Sequence, residues 1–224
     1  KYDLVAVPVV DSIGRLVGRI PVDDVMDEVR EQAERDYQLA SGLSQDVETD
    51  DSVFRQTTAR LPWLLIGMIG GIGNSMILGN FDSTFAAHPE MALYIPLIGG
   101  TGGNVGTQSS ALVVQGLANS SLDAHNTWKQ IVKESVVAVI NATIISMLVY
   151  IYNFIRFGAT ATVSYSVSVS LFAVVMFASI FGTLVPMTLE KLKIDPAIAT
   201  GPFISITNDI IGMMLYMGIT VLLS

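Results

Sequence analysis

The chain has 224 residues, of which 51% are hydrophobic and 14% are charged, and its formal net charge is −8. Because soluble domains of this size carry about 25% charged residues, the composition excludes an ordinary soluble domain. The sequence contains no cysteine, which excludes disulfides, thiolate metal ligands and cysteine nucleophiles, and its acidic balance argues against nucleic acid as a partner. Thirteen of the 20 acidic residues precede residue 62, so a polar N-terminal part is followed by a larger apolar part.

The polar N-terminal part predicts a β-hairpin followed by a helix. Two apolar runs, residues 4–10 and 15–20, flank a turn at residues 11–14, a pattern typical of two paired strands. Pro21 stands where a helix predicted over residues 22–39 begins, and the first helical turn tolerates proline. The elements that follow are an acidic linker at residues 44–52 and a short amphipathic helix at residues 53–60.

The predicted helix carries seven acidic residues between positions 23 and 36 but only two arginines. Like charges four residues apart on a helix repel each other. A divalent cation shared with another acidic surface would relieve this repulsion, which makes the helix a candidate cation sensor. A solvated charged face is the other interpretation, and the charges alone do not decide between the two.

Five apolar stretches in the rest of the chain are long enough to cross a bilayer, which takes about 20 residues. They are residues 61–78, 92–117, 131–155, 167–189 and 199–223. Eleven of the 12 basic residues fall on one side of this arrangement, and the positive-inside rule makes that side cytoplasmic. We therefore predict an all-α polytopic protein of the plasma membrane, with its N-terminus in the cytoplasm and its C-terminus outside.

The second predicted span is rich in glycine and small polar residues. Five of the eight residues from 99 to 106 are glycine, which is expected to loosen a helix. Since backbone groups in lipid need partners, such a segment is buried in protein or lines a wet cavity. Thr101, Asn104 and Gln108 fall near one helical face, with Thr107 beside it, and would offer oxygens to a cation. The alternative is a glycine-rich face used only for close helix packing.

The fifth predicted span contains Asp209, which we expect to be the only acidic residue well inside a span. A charge at the bilayer centre costs about 2.5–3.5 kcal/mol on insertion scales, so such a residue indicates function. No intramembrane lysine or arginine is predicted to pair with it, and a carboxylate without a fixed cation suits a mobile one. Ser205 lies one helical turn earlier and can face the same path. The alternative is a carboxyl group hydrogen-bonded to a neighbouring helix.

Oxygen ligands and negative charge are what a hard cation such as Mg²⁺ requires, and Mg²⁺ usually keeps several of its waters. Asp209, with the amide and hydroxyl oxygens around it, meets that requirement without excluding Ca²⁺, Mn²⁺ or Na⁺. The cation is the predicted cargo, and we expect no catalytic residues and no enzyme activity.

Several segments taken together are similar to one known family. They are residues 7–11, 14–18, 22–27, 60–64, 102–108, 195–197 and 201–202, together with Asp209. Over essentially its whole length, the chain resembles the MgtE family of bacterial Mg²⁺ channels. On this resemblance, residues 1–20 are the C-terminal end of a CBS domain, residues 21–60 form an acidic plug helix and linker, and residues 61–224 form a five-helix pore domain.

The resemblance implies a homodimer in the lipid bilayer, with the pore at the dimer axis between the second and fifth membrane helices. Asp209 matches the family's pore aspartate, which holds a hydrated Mg²⁺ with its copy in the partner subunit. Ser205 matches a position that contributes a backbone carbonyl, and Gly103, Asn104 and Thr107 match pore-lining positions of the second helix. The acidic positions that match the family's cytoplasmic Mg²⁺ sensor are Asp3, Asp24, Asp27 and Asp36.

The sequence departs from the family pattern at several positions. Gln32 and Arg35 stand where family members often carry acids, which weakens the local sensor, and Gln115 stands where arginine is common. Only the last part of a CBS module is recognised, so we expect an incomplete sensor, and any regulatory nucleotide would bind the missing CBS region. None of these departures involves Asp209.

Together these features predict an Mg²⁺-selective channel for passive uptake, closed by cytoplasmic Mg²⁺ acting on the plug helix. An ion-coupled transporter or exchanger of divalent cations is the alternative. A transporter of organic anions would need an intramembrane cation, and five spans do not divide into an inverted repeat. A membrane protease would need two intramembrane carboxylates or histidine ligands, whereas His88 and His125 fall in opposite predicted loops.

Overall fold

The N-terminal part begins with the predicted hairpin. The computed structural model describes residues 5–118, 127–158 and 162–223. Strand β1 (Ala6–Val10) pairs antiparallel with β2 (Leu16–Pro21), with a register shift at the end of β1. In the turn between them, the Asp11 carboxylate accepts hydrogen bonds from the backbone N–H groups of Arg15 at 2.8 Å and Ile13 at 3.0 Å. These bonds, above all the one from Arg15, hold the pKa of Asp11 below its ordinary value.

Helix α1 spans Val22–Ala40 and confirms the predicted acidic helix to within one residue. None of its residues is fully buried. Its two arginines form ion pairs with glutamates of the same helix. Arg30 pairs with Glu34 at 3.0 Å, and Arg35 pairs with Glu31 at 2.7 Å. Exposed pairs of this kind contribute little to the stability of a helix.

Helix α2 (Val53–Gly79) joins two elements that the sequence analysis separated. The predicted short helix and the first predicted span form one helix of 27 residues with Pro62 in its interior. A proline removes one helical hydrogen bond and bends the helix, but the apolar residues that follow it favour continuation once they pack or face lipid. The Ser52 hydroxyl accepts a hydrogen bond from the backbone N–H of Arg55 and caps the helix.

The remaining helices form the larger apolar part. They are, in chain order, α3 (Asp82–Ala87), a 3-10 turn (Pro89–Tyr94), α4 (Ile95–Ala118), α5 (Thr127–Phe157), α6 (Thr162–Lys191), a second 3-10 turn (Pro196–Ala199) and α7 (Pro202–Leu223). Among the described helices, α2, α5, α6 and α7 are long and apolar enough to cross a membrane. With 24 residues, α4 is long enough, but its glycine and polar content lowers its hydropathy. A fifth membrane helix therefore stays a prediction.

Helix α4 is continuous through its glycine run, so the expectation that the glycines loosen it is wrong. Neighbouring helices occupy the space that glycine leaves. A Cβ atom at Gly102 would lie 2.9 Å from the Val174 side chain, and one at Gly106 would lie 2.7 Å from the Ile204 side chain. Close packing therefore overrides the low helix propensity of glycine.

Helix α6 lies at the centre of the bundle and packs against α4, α5 and α7. Its side chains Leu171 and Val174 are buried with Met213 of α7 in the hydrophobic core. Helix α2 lies at the edge of the bundle and contacts α7, where a Cβ atom at Gly70 would overlap the side chain of Ile206. This arrangement places α4 against both α6 and α7, and so brings the second predicted span next to the fifth.

Candidate functional site

Helix α7 carries Asp209 two turns after its start. The helix begins at Pro202, directly after Gly201, whose φ of 55° lies in the left-handed region. Asp209 is half-buried on the side of α7 that faces α4. Within the described ranges, no side chain forms a hydrogen bond or an ion pair with its carboxylate. The carboxylate is therefore partly sheltered from water without being neutralised by a fixed partner.

Two glycines of α4 bring that helix close to the carboxylate. A Cβ atom at Gly99 would lie 3.2 Å from Oδ1 of Asp209, and one at Gly103 would lie 3.8 Å from the same oxygen. Gly99 was not among the predicted site residues, because its importance depends on the close approach of two helices that are distant in sequence. Glycine at both positions allows the backbone of α4 to approach the carboxylate closely.

Ser205 lies against the same glycine face. Its hydroxyl oxygen would be 2.8 Å from a Cβ atom at Gly103, and it stands one turn before Asp209 on α7. The structure therefore brings Gly103, Ser205 and Asp209 together, which are three of the five predicted pore residues. Hydroxyl and carboxylate oxygens of this kind are the ligands that hard cations prefer.

Asn104 and Thr107 lie on a neighbouring side of α4. Asn104 is exposed, and the Thr107 hydroxyl donates to the backbone carbonyl oxygens of Gly103 and Asn104, both at 3.0 Å. In the part of the chain that the structure describes, neither side chain forms a hydrogen bond with Asp209. Polar groups on the outside of a membrane bundle need water or another protein chain as a partner.

The predicted cytoplasmic sensor residues lie on α1, except Asp3, which falls outside the described residues. Asp24 and Asp27 are exposed, whereas Asp36 is half-buried and accepts a hydrogen bond from the side-chain amide of Gln32 at 2.7 Å. Among residues 5–118, 127–158 and 162–223, no group of three or more His, Cys, Asp or Glu side chains is arranged to hold a metal ion. Completion of a sensor by a second acidic surface stays a prediction.

The end of α1 packs against the start of α7. A Cβ atom at Gly201 would overlap the backbone oxygen of Ala40, and one at Gly42 would lie 2.6 Å from Cγ of Pro202. Gly42 also has a positive φ, of 82°, which residues other than glycine adopt at a cost. The end of α1 and the turn that follows it therefore touch the first turn of the helix that carries Asp209.

A second buried carboxylate, Glu134, was overlooked by the sequence analysis. It is the fourth residue of the third predicted span, lies on α5 and is 8% exposed, so Asp209 is not the only acidic side chain of the predicted spans that is sheltered by neighbouring helices. Its Oε1 accepts hydrogen bonds from the hydroxyls of Ser109 on α4 at 2.6 Å and Ser179 on α6 at 2.5 Å. The signal that could have found it is its four-residue spacing from Ala138 and Ala142, which lie on the buried face of α5.

Sequence comparisons find similarity to cation transporters. A family model, MgtE, described as a divalent cation transporter, matches residues 95–219. The chain is 33% identical over 219 residues to "Magnesium transporter MgtE" of Bacillus subtilis, which covers 98% of this chain and 48% of the relative. It is 32% identical over 228 residues to the protein of the same name from Thermus thermophilus, which covers 99% of this chain and 49% of the relative. The chain thus spans about half the length of the curated relatives it matches.

Proposed function

Since this chain belongs to the MgtE family of divalent cation transporters, we propose that it is an Mg²⁺-selective channel for passive uptake across the plasma membrane. The observation that carries the proposal is the environment of Asp209. Its carboxylate is half-buried on an apolar helix beside Gly99 and Gly103, and no fixed cation pairs with it in the described ranges. An ionisable residue inside a membrane span is costly and commonly marks an ion pathway.

A homodimer is the second part of the proposal. One Asp209 offers a single negative charge, whereas two copies across a twofold axis would match the double charge of Mg²⁺. The exposed Asn104 and the neighbouring Thr107 would then face the axis and accept hydrogen bonds from the waters that Mg²⁺ retains. Coverage of α4 by a second subunit would also remove the cost of exposing these polar groups to lipid.

We further propose that α1 closes the pathway when cytoplasmic Mg²⁺ is high. The close approaches of Ala40 to Gly201 and of Gly42 to Pro202 support a mechanical connection between α1 and α7. A cation shared between α1 and a second acidic surface would move the end of α1 and, through these contacts, the start of α7. The acidic residues proposed to bind the cytoplasmic ion are Asp3, Asp24, Asp27 and Asp36.

Passive conduction makes a specific prediction about the driving force. A potential of 100 mV, negative inside, favours the entry of one elementary charge by about 2.3 kcal/mol and of Mg²⁺ by about 4.6 kcal/mol. Uptake should therefore follow the membrane potential and should need neither a sodium gradient nor a proton gradient.

The test is Mg²⁺ uptake into proteoliposomes that contain the full chain, with and without a membrane potential. Asp209→Asn should abolish uptake and still fold, because an amide of the same shape costs less to bury than a charge. Asp50→Asn, which removes an exposed carboxylate from the linker, is the matched control and should conduct like the wild type.

Two outcomes would change the proposal. If the Asp209→Asn variant took up Mg²⁺ at the level of the wild type, the assignment of Asp209 to the pore would be overturned. Uptake that ignores the potential and requires a Na⁺ or H⁺ gradient would establish the ion-coupled transporter in place of the channel.

A further inference from the structure

A cavity of about 430 Å³ lies between α4 and α5. On α4 its wall is formed by residues of one helical face, turned away from the face of Gly99 and Gly103. They are Val105, Gln108, Ser109, Leu112 and Gly116. The polar side chains of α5 and α6 that complete the wall are Gln130, Lys133, Glu134, Asn141 and Ser179. Simple helix packing does not require a polar cavity with a carboxylate in its wall.

Three oxygens form a compact face on this wall. Oε1 of Glu134, Oγ of Ser109 and Oγ of Ser179 form a triangle with edges of 2.6, 2.5 and 3.1 Å. Each hydroxyl donates its proton to the carboxylate, so the lone pairs of both hydroxyl oxygens remain available to a cation. All three side chains are at least nine-tenths buried, with exposures of 8%, 4% and 2%. Their positions are therefore fixed before any ion arrives.

We propose that this cavity binds one monovalent cation of the Na⁺ class, held by Glu134, Ser109 and Ser179. Carboxylate and hydroxyl oxygens are ligands for hard cations, and the polar side chains of Gln108 and Asn141 line the same cavity. One carboxylate and one monovalent ion are neutral together. A divalent ion would add a further uncompensated positive charge to that of Lys133, which lines the same cavity, and this is unfavourable.

The cavity is reached from one end of the bundle. Gln130 and Lys133 lie in the first two turns of α5, and Gly116 lies in the last turn of α4. The basic residues predict that this end faces the cytoplasm, so the ion enters from that side. Because its three main ligands come from α4, α5 and α6, binding ties these helices together. The site does not depend on conduction at Asp209.

Thermal unfolding of the purified full chain in detergent tests this site. NaCl is titrated against choline chloride at constant ionic strength, and Na⁺ should raise the wild-type Tm in a saturable manner because it binds only the folded state. Glu134→Gln should lose this Na⁺-dependent shift, whereas Asp209→Asn should keep it, which separates the cavity from the pore site. No shift in the wild type, an equal shift with choline or an undiminished shift in Glu134→Gln would overturn the proposal.

A second variant covers the case in which Glu134→Gln does not fold. Ser179→Ala keeps the carboxylate and removes one ligand oxygen, so it should weaken the apparent Na⁺ affinity by roughly tenfold, as for a lost bond to a charged partner. Ser170→Ala is the matched control, since Ser170 is a buried serine of the same helix that does not line the cavity. Unchanged Na⁺ affinity in Ser179→Ala, or an equal loss in Ser170→Ala, would also overturn the site. So would a saturable shift produced by Mg²⁺ in place of Na⁺.

Discussion

Asp209 and Glu134 are both acidic side chains of the helix bundle, and they lie against different sides of α4. Asp209 stands beside glycines and has no hydrogen-bonding partner among the described residues, whereas Glu134 accepts two hydroxyl hydrogen bonds. The first environment leaves the carboxylate free to accept hydrogen bonds, such as those from the waters that an ion keeps. The second presents oxygens at contact distance, as an ion that has shed its waters requires. The neighbours of a buried carboxylate thus indicate more about its role than its position along a span does.

The comparison of Asp209 with Glu134 depends on the position of α4 in the bundle. A substitution at Gly182 of α6 should disturb that position most. A Cβ atom at Gly182 would overlap the backbone carbonyl oxygen of Gly106, and a backbone atom cannot rotate away as a side chain can. Overpacking typically costs about 1–3 kcal/mol, and we expect Gly182→Ala to reach the upper end of that range. The measurement is the free energy of unfolding in detergent.

The matched control for Gly182→Ala is Gly71→Ala on α2, where an added Cβ atom has nothing within 4 Å. Alanine there should be neutral or stabilise the helix by up to about 1 kcal/mol. Equal stabilities of the two variants would show that α4 and α6 do not pack as closely as described.

Variants that lack one of the two carboxylates test whether Glu134 and Asp209 differ in their contribution to stability. Glu134→Ala removes the acceptor of two buried hydroxyls, and since Ser109 and Ser179 can form only one hydrogen bond with each other, at least one proton is left without a partner. An unsatisfied buried group costs about 1–3 kcal/mol. Asp209→Ala leaves no hydrogen-bond donor without its acceptor in the described structure. It should therefore lower the free energy of unfolding by less than Glu134→Ala does. Both variants are compared with the wild type by chemical denaturation in the same detergent. A larger loss for Asp209→Ala would mean that this carboxylate also stabilises the fold.

The smallest expected effects are those of the two serines. Ser109→Ala and Ser179→Ala should each lower the free energy of unfolding by about 1 kcal/mol, the usual contribution of one hydrogen bond. Because both hydroxyls donate to the same oxygen of Glu134, the double variant should depart from the sum of the single ones. Strict additivity in this double-mutant cycle would show that the two hydroxyls act independently.

Much of the helical architecture could be predicted, because long apolar runs and a proline at a helix start are local signals. The end of α1 was predicted to within one residue, and four of the five predicted spans correspond to helices apolar enough to cross a membrane. Local signals failed at α4, where glycine predicted a loosened helix, because the contacts that stabilise it come from α6 and α7.

The residues of the two carboxylate sites also fall into those that local sequence signals predict and those that they do not. Asp209 could be found from sequence because a single acid interrupts a long apolar run, and Ser205 follows from helical spacing. The partners of Glu134 lie 25 and 45 residues away on other helices, and serine is too common in the predicted spans to indicate a pairing. The contact of Gly99 with Asp209 likewise depends on a helix approach that no local pattern encodes.

The contact between the end of α1 and the start of α7 also decides where the protein can be cut and recombined. Residues 40–42 and 201–202 fit together so closely that an added carbon atom at either glycine would overlap its neighbour. A chimaera with a relative should therefore keep both segments from one parent, with its seam before the last turn of α1. A seam in the linker at residues 44–52 is the obvious boundary from sequence alone. It would assign the two matching surfaces to different parents and should yield a poorly assembled protein.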